Sequence, residues 1–391
     1  MSDRYDVCAA VVSDLTFDAR VWKEARSLAS AGYRVKLIGC RYELPRTERR
    51  QSRGIDVVEV SLGTRARVSV AGRVLTLLRL WTEILRTRAH AYHAHNIHVG
   101  PAAWAASRLR RARLVYDAHE LYGEPTSRGP LARISGLVAK NAERFIVRRS
   151  DVVITTNHSR AQQLRERHRI DHVSVLANVP VRVDEVLPLN PGYPEGAPIV
   201  LYQGGIYARS RAFREVITAV AQLDVHFVII GFGRDEDLKL VVRWAAESHA
   251  SAKVHLLPPR PFDQLIRTAA AASVGLVPVR ADSFSNSLGD TNKLFEYLMA
   301  GLPVAASDLP EIRSVVTEGD PPVGELFDPD SPASIAEAIR RILSDPAKYE
   351  LRRKEARRLA LERFNWDLEE QRLLGLYESI LPKRVHVGAS A

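Results

Sequence analysis

The sequence predicts an α/β protein of two Rossmann-like, doubly wound domains facing across a cleft, and three observations carry that prediction. Short apolar runs alternate with amphipathic helical stretches almost from end to end, the pattern of parallel strands covered on both faces. A Pro- and Gly-rich stretch over 180–198 interrupts the alternation, as a linker would. The alternation then restarts, and 391 residues with 46% apolar content supply two ordinary cores.

In the first half, 5–13 is an apolar strand, 18–31 a helix ended by Gly32, and 34–39 the next strand. The Arg-rich stretch 41–53 reads as a loop before a strand at 55–60. An amphipathic helix at 73–88 precedes a strand at 91–95, a helix at 100–109 and a strand at 113–118. A helix at 134–149 leads to a strand at 151–155, and the first domain closes after 173–176. The second half runs strand 199–204, helix 212–221, strand 225–231, helix 235–248, strand 254–257, helix 262–271 and strand 274–277. Helices at 332–343, 349–363 and 368–380 follow, with 383–391 as a tail.

Charge and composition narrow the partners. A net charge of +10 suits an anionic partner: a nucleoside diphosphate, anionic lipid or nucleic acid. The arginines are scattered and no nucleic-acid-binding motif accompanies them, so nucleic acid is not expected. No run of 18 apolar residues predicts a transmembrane helix, and the first residues lack a signal-peptide pattern. Cys8 and Cys40 lie in apolar runs and read as buried thiols of a reducing cytoplasm, a single disulfide being the alternative. The expected location is cytoplasmic, with peripheral contact to the inner face of the membrane through the basic N-terminal domain as a further reading.

The most informative stretch is 291–307. Asp290, Thr291 and Asn292 mark a helix start, which leaves backbone N–H groups aimed forward. Leu294, Tyr297 and Leu298 define one buried face, with Lys293 and Glu296 elsewhere. Gly301 and Pro303 end the helix before a short buried strand at 304–307. A helix N-terminus with a nearby lysine attracts phosphate, and a carboxylate one turn on accepts hydrogen bonds from sugar hydroxyls. Together these point to a nucleotide-sugar pocket.

With these elements placed, the chain resembles the retaining, GT-B-fold glycosyltransferases of family 4 over nearly its whole length. The residues that carry the resemblance begin with 18–25 (Asp-Ala-Arg-Val-Trp-Lys-Glu-Ala), Leu28 and 31–35. They continue with His93-Ala94-His95-Asn96, 115–120, and Tyr202-Gln203-Gly204-Gly205-Ile206. The most specific are 292–311, and Phe364-Asn365-Trp366 opens a helix like the family's terminal one. The resemblance implies an acceptor-binding domain over 1–183, a linker over 184–197 and a nucleotide-sugar domain over 198–365, with 366–382 packing back on the first. Three departures stand out. Leu288 replaces the first of two glutamates that many members carry eight positions apart, Glu296 being the second. A Gly-Gly pair is missing near Ser13-Asp14-Leu15, and Ser210 stands where a lysine is common.

The resemblance implies metal-independent chemistry, so cations and helix dipoles must stabilise the leaving diphosphate. Arg209, Arg211 and Lys293 are the candidates; each could instead be a solvated surface residue, but Gly204-Gly205 end a strand where doubly wound folds bind ligands. Glu296 fits the nucleotide ribose, with Thr291 and Asn292 at the helix start and Arg260 near the base. His119 ends a strand and fits a donor-side catalytic role beside Arg209 and Lys293, against the plainer reading of a structural histidine. Asp18 and His95 fall on the acceptor side.

Asp117 and Glu120 are not assigned as an acid/base pair, because retention in this family is ascribed to front-face attack. His93, His95 and His98 suggest a metal, but no further ligands stand out and none is expected. Asp328-Pro329-Asp330 reads as a turn, and Gly231-Phe232-Gly233 as a tight strand-to-helix turn. The helix at 73–88 reads first as a crossover helix and second as an anionic-membrane surface helix. The expected activity is hexosyl transfer from a UDP- or GDP-sugar to a hydroxyl of a glycan, lipid-linked or small-molecule acceptor, with no cofactor. A nucleotide-sugar epimerase or a catalytically silent sugar-nucleotide binder are the rivals.

Overall fold

The alternating pattern folds into two parallel sheets in two units, residues 1–177 with 369–391 and residues 178–368. The computed structural model describes residues 4–16, 18–41, 44–61, 70–119, 122, 130–289 and 291–381. Asp290, Glu120 and the tail after Leu381 lie outside them.

Unit 1 contains β1 (Tyr5–Asp14), α1 (Ala19–Ser30), β2 (Val35–Arg41), β3 (Glu48–Ser52), β4 (Ile55–Ser61), α2 (Val70–Arg86), β5 (Ala89–Ala94) and α3 (Gly100–Arg110). It continues with β6 (Arg113–Asp117), α4 (Pro130–Val147), β7 (Val152–Thr155), α5 (His158–His168) and β8 (Val173–Val175). The sheet order is β3-β4-β2-β1-β5-β6-β7-β8, parallel except for the β3–β4 pair. β1 is central and buried along Asp6–Val11, which explains its unbroken apolar run. Strand order reverses between β1 and β5, and ligands of such sheets bind beyond the carboxyl ends at that switch.

Two differences from the sequence expectation have local causes. The stretch 41–53 is not all loop, because 48–52 forms the edge strand β3. Its charged side chains hide it from any apolar pattern, and its order comes from pairing with β4 across Arg53 and Gly54, both at positive φ (52° and 79°). Helix α5 is so polar that only Ala161 and Leu164 give it an apolar face, and Asn157 caps it through Arg160 N at 2.9 Å.

Unit 2 contains β9 (Ile199–Gln203), α6 (Phe213–Ala221), β10 (His226–Ile230), α7 (Asp235–Glu247), β11 (Val254–Leu257), α8 (Phe262–Ala270) and β12 (Val274–Val277). Then come α9 (Phe284–Ser287), α10 (Asn292–Met299), β13 (Val304–Ser307), α11 (Pro310–Val316), β14 (Gly324–Phe327), α12 (Pro332–Leu343), α13 (Pro346–Glu362) and α14 (Trp366–Ile380). The order β11-β10-β9-β12-β13-β14 is fully parallel and reverses between β9 and β12. Short α9, α11 and β14 escape the sequence pattern because each is too brief to show a period.

From Glu369 onward α14 belongs to unit 1, where the Glu369 carboxylate accepts a hydrogen bond from Ala177 N at 2.9 Å. Asp328–Asp330 is the expected turn, with Asp330 N donating to Asp328 Oδ1 at 2.9 Å. Cys8 and Cys40 are buried and unpaired.

Candidate active site

In unit 2, β9 runs into Gly204, whose φ of +133° is one that L side chains rarely adopt. A Cβ at Gly204 would also lie 3.4 Å from Lys293 Cε, so the glycine makes room for a lysine lying back across the strand end. The next turn needs a glycine for a different reason: a Cβ at Gly231 would fall 1.9 Å from Gly204 O.

Lys293 is 9% exposed, with Nζ 5.0 Å from the centroid of the Tyr202 ring. This corrects the expectation that Lys293 lies away from the buried face. Helix α10 also buries Leu294, Phe295, Tyr297, Leu298 and Met299, so a position beside the apolar stripe is still inside. Burial first, then Arg211, pulls the Lys293 ammonium down to about 7, with Glu296 acting against them.

Two residues close to Lys293 hold buried polar atoms without a partner. Arg211 is half-buried, and its Nε and Nη1 have no hydrogen-bond partner. Thr291 is the N-cap of α10 but makes no side-chain cap bond, and its buried Oγ1 also lacks a partner. Lys293 adds a desolvated ammonium. Buried polar groups are rarely left unpaired, and two cations at a helix N-terminus suit an anion with several oxygens.

Glu296 is tied to the strand: Gln203 Nε2 donates to Glu296 Oε2 at 2.8 Å. Gln203 N donates to Tyr297 Oη at 3.0 Å, and Tyr297 Oη donates to Leu201 O at 3.0 Å. These bonds lock α10 against β9 and fix the height of the carboxylate.

The other expected residues of this unit divide. Arg209 is exposed, and its carbonyl accepts from Arg280 Nη1 at 2.9 Å, so of the two arginines only Arg211 joins Lys293. Asn292 is exposed. Gly205 O accepts from Tyr202 Oη at 2.6 Å, which holds the turn. Arg260 Nη2 donates to Pro191 O at 2.8 Å, so part of its guanidinium fastens the loop before β9, while Nε stays buried and unpartnered.

Unit 1 places a second polar cluster at its own switch point. Arg20 grips Asp117 with two bonds, Nε to Oδ2 at 2.7 Å and Nη2 to Oδ1 at 3.2 Å, while Nη1 donates to Leu176 O at 3.0 Å. His95 Nδ1 lies 3.4 Å and His119 Nδ1 3.5 Å from Asp117 Oδ2. Burial pushes Asp117 up, but Arg20 and the two histidines outweigh it and hold the carboxyl well below its usual range. For His119 burial acts downward, and the bond and charge of Asp117, with Asp18 adding to them, carry the imidazole above its ordinary value.

Glu24 lies one helical turn beyond Arg20, with Oε1 3.0 Å from Arg20 Nε and Oε2 3.7 Å from His93 Nε2. Neither Glu24 oxygen has a hydrogen bond, and burial pushes this carboxyl up to about 7. Tyr377, from α14, shares a 2.9 Å hydrogen bond with His93 Nδ1, and burial holds His93 neutral with its pKa well below the ordinary value.

The two expected acceptor-side residues are thus close to His119 but structurally occupied. Asp18 caps α1 through Val21 N at 3.3 Å and also accepts from Ser13 Oγ, and His95 is fully buried. The sequence reading found no further metal-type ligands near His93 and His95. The fold supplies Glu24 and Asp117, all four ligand atoms lying within 4.8 Å of one another. The Arg20 guanidinium already binds both carboxylates, so the charge a metal would bring is present as a side chain. His98 is exposed and stands apart. Arg20 and Glu24 had one sequence signal, two opposite charges at i, i+4 beside the apolar stripe of Val21, Ala25 and Leu28. Gln203 had none.

Comparison with known proteins agrees across both units. Residues 18–178 match the Glycosyl transferase 4-like domain family and residues 197–345 the Glycosyl transferases group 1 family. The chain is 25% identical to D-inositol 3-phosphate glycosyltransferase of Acidothermus cellulolyticus, covering 92% of this chain and 84% of that one. Among solved structures, sucrose-phosphate synthase from Thermosynechococcus elongatus superposes with a TM-score of 0.81 at 18% identity, covering 96% of this chain and 99% of that one. Anabaena Alr3699/HepE in complex with UDP-glucose gives a TM-score of 0.69 at 14% identity, covering 96% and 100%. These two structural likenesses speak for the fold.

Proposed function

Because this chain belongs to the GT-B-fold glycosyltransferases of family 4 (glycosyl transferases group 1), we propose that it takes a hexose from a nucleotide sugar and transfers it, with retention and without a metal, to a hydroxyl acceptor. One observation carries the reading: beside the buried Lys293, Arg211 (Nε and Nη1) and Thr291 (Oγ1) hold buried polar atoms without a hydrogen-bond partner near the carboxyl end of β9. A diphosphate supplies the missing charge and oxygens. Glu296, held by Gln203, accepts hydrogen bonds from the nucleotide ribose.

In the reaction, the bond from the anomeric carbon to the diphosphate oxygen breaks, and the acceptor oxygen bonds to that carbon on the same face. The acceptor proton passes to the departing phosphate oxygen, and Lys293 and Arg211 hold the charge that develops. His119, whose imidazole Asp117 carries above its ordinary value, serves as a hydrogen-bond donor to a sugar hydroxyl or phosphate oxygen. Asp18 acts through His119, its charge adding to the upward push on the imidazole. The relative from Acidothermus takes, by its name, an inositol phosphate. A phosphorylated or otherwise hydroxyl-rich small molecule is the acceptor class we carry over.

Thermal unfolding with UDP, GDP, ADP and dTDP tests the site, since a ligand that binds the native state raises its melting temperature. One nucleotide is expected to stabilise the protein, and the corresponding nucleotide sugar to be consumed when a polyol phosphate is added. No stabilisation by any of the four defeats the reading. Stabilisation without turnover favours a silent binder, as Leu288 in place of a glutamate would suggest, and release of an altered free sugar without acceptor favours an epimerase.

A further inference from the structure

Helices α2, α3 and α4 lie side by side on one face of the unit 1 sheet, α2 packing on α3 and α3 on α4. Their inner sides are ordinary core, with Leu80 and Ile84 of α2 and Ile146 and Val147 of α4 fully buried. Their outer sides are apolar as well. Val74, Leu75 and Leu78 on α2, and Ile134, Leu137 and Val138 on α4, are each between 49% and 63% exposed. On each helix these side chains fall within one turn and a residue, so they form two outward stripes rather than scattered points. A helix apolar on two opposite sides satisfies only one of them by packing on its own sheet.

Charge selects what covers the other side. Arg79 and Arg86 flank the stripe on α2, and Lys140 and Arg144 continue the one on α4, all of them exposed. The only acids on the described residues of the three helices are already paired. Glu83 pairs with Arg49 at 2.5 Å, and Glu143 is fully buried against His168 at 3.1 Å. A second copy of this face would bring cations against cations. An anionic bilayer meets both halves of the pattern, hydrocarbon for the aliphatic side chains and phosphates for the arginines and lysine.

We infer that the α2–α4 face of unit 1 docks on an anionic lipid bilayer, with the aliphatic stripes entering the acyl boundary and the flanking cations engaging lipid phosphates. The crossover reading of α2 stays true of its inner side, and the outer side has a separate task. This inference concerns a surface of unit 1 and does not depend on the nucleotide site.

Co-sedimentation of the full chain with vesicles tests it, comparing phosphatidylcholine alone with phosphatidylcholine plus phosphatidylglycerol. Binding is expected only to the anionic vesicles. Because the whole chain is basic, the decisive variants are apolar ones: Leu75→Ser with Leu78→Ser, and Leu137→Ser with Val138→Ser. Each pair is expected to lower the vesicle-bound fraction about tenfold while leaving the melting temperature and the nucleotide-induced shift unchanged. Arg79→Glu with Arg86→Glu is expected to abolish binding at low salt. Wild-type sedimentation by both serine pairs overturns the proposal. So does absence of binding by the wild type, or a concentration-dependent dimer that the serine pairs dissolve.

Discussion

The two units share a doubly wound parallel core, extended in unit 1 by the edge strands β3 and β8, and each places a buried charged cluster at the carboxyl ends of its strands. The clusters are electrostatic opposites. In unit 1 the guanidinium of Arg20 is matched by Asp117, and the strained group is an acid, Glu24, pushed up to about 7. In unit 2 the strained group is a cation, Lys293, pulled down to about 7 next to an arginine with unpartnered N–H groups. A switch point is a place where side chains meet, and its contents decide whether it is closed on itself or open to an anion. In the first cluster the charge of Arg20 is matched by the chain's own carboxylates, although both Glu24 oxygens lack hydrogen bonds. The second has the charge and open hydrogen-bonding groups that the proposed diphosphate would complete.

If unit 1's cluster is self-contained, its members are needed for stability. Arg20→Met leaves Asp117 and Glu24 buried without their cation and is expected to cost about 3–5 kcal/mol by denaturant unfolding. A loss below about 1 kcal/mol would mean that this cluster is as incomplete as the other.

Lys293→Met is expected to act in two directions. Burying an ammonium penalises the native state fully below about pH 7, and the penalty shrinks as pH rises toward the unfolded value of 10.5. The variant is therefore expected to raise the melting temperature of the ligand-free chain near neutral pH while weakening nucleoside diphosphate binding about 100-fold. Calorimetric titration across pH adds a sign. Wild-type affinity falls as pH rises above about 7 and Lys293 deprotonates, and the variant loses that fall.

Glu24→Gln sharpens the contrast on the acid side. The folded pKa of Glu24 lies above its ordinary 4.5, so native protein retains a proton that unfolded protein has released. Stability falls as pH rises from about 4.5 to 7, and the glutamine variant is expected to lack that fall, gaining over wild type by about 1–3 kcal/mol at pH 8. Identical pH dependence in both proteins would show that Glu24 titrates normally. The smallest effect belongs to Arg209→Ala, whose exposed side chain lies outside the Lys293 group. Nucleotide affinity within about twofold of wild type is expected, against about tenfold weaker binding for Arg211→Ala.

Much of the architecture was legible because its signals are local. The start and stop of α10, the Asp18 cap of α1 and the apolar runs of β1 and β9 follow from residues within a few positions of each other. Where local signals were weak the reading failed: β3 is charged and exists by pairing, and α5 is polar and exists by its cap and two apolar contacts. Helix α2 was legible as amphipathic, but its second apolar side became visible only when burial separated Leu80 and Ile84 from Leu75 and Leu78.

By itself the sequence determined the two-sheet pattern, the helix start at Thr291 and the candidacy of Lys293, Glu296 and His119. Tertiary structure decided how those groups are charged and which of them meet. Arg20 finds Asp117 across 97 positions and Gln203 finds Glu296 across 93, because sheet order, not chain distance, makes them neighbours. It also chose Arg211 over Arg209 and buried Lys293 beneath the turn at Gly204. A side chain's charge is set by its solvent and its partners, and both are properties of the folded arrangement.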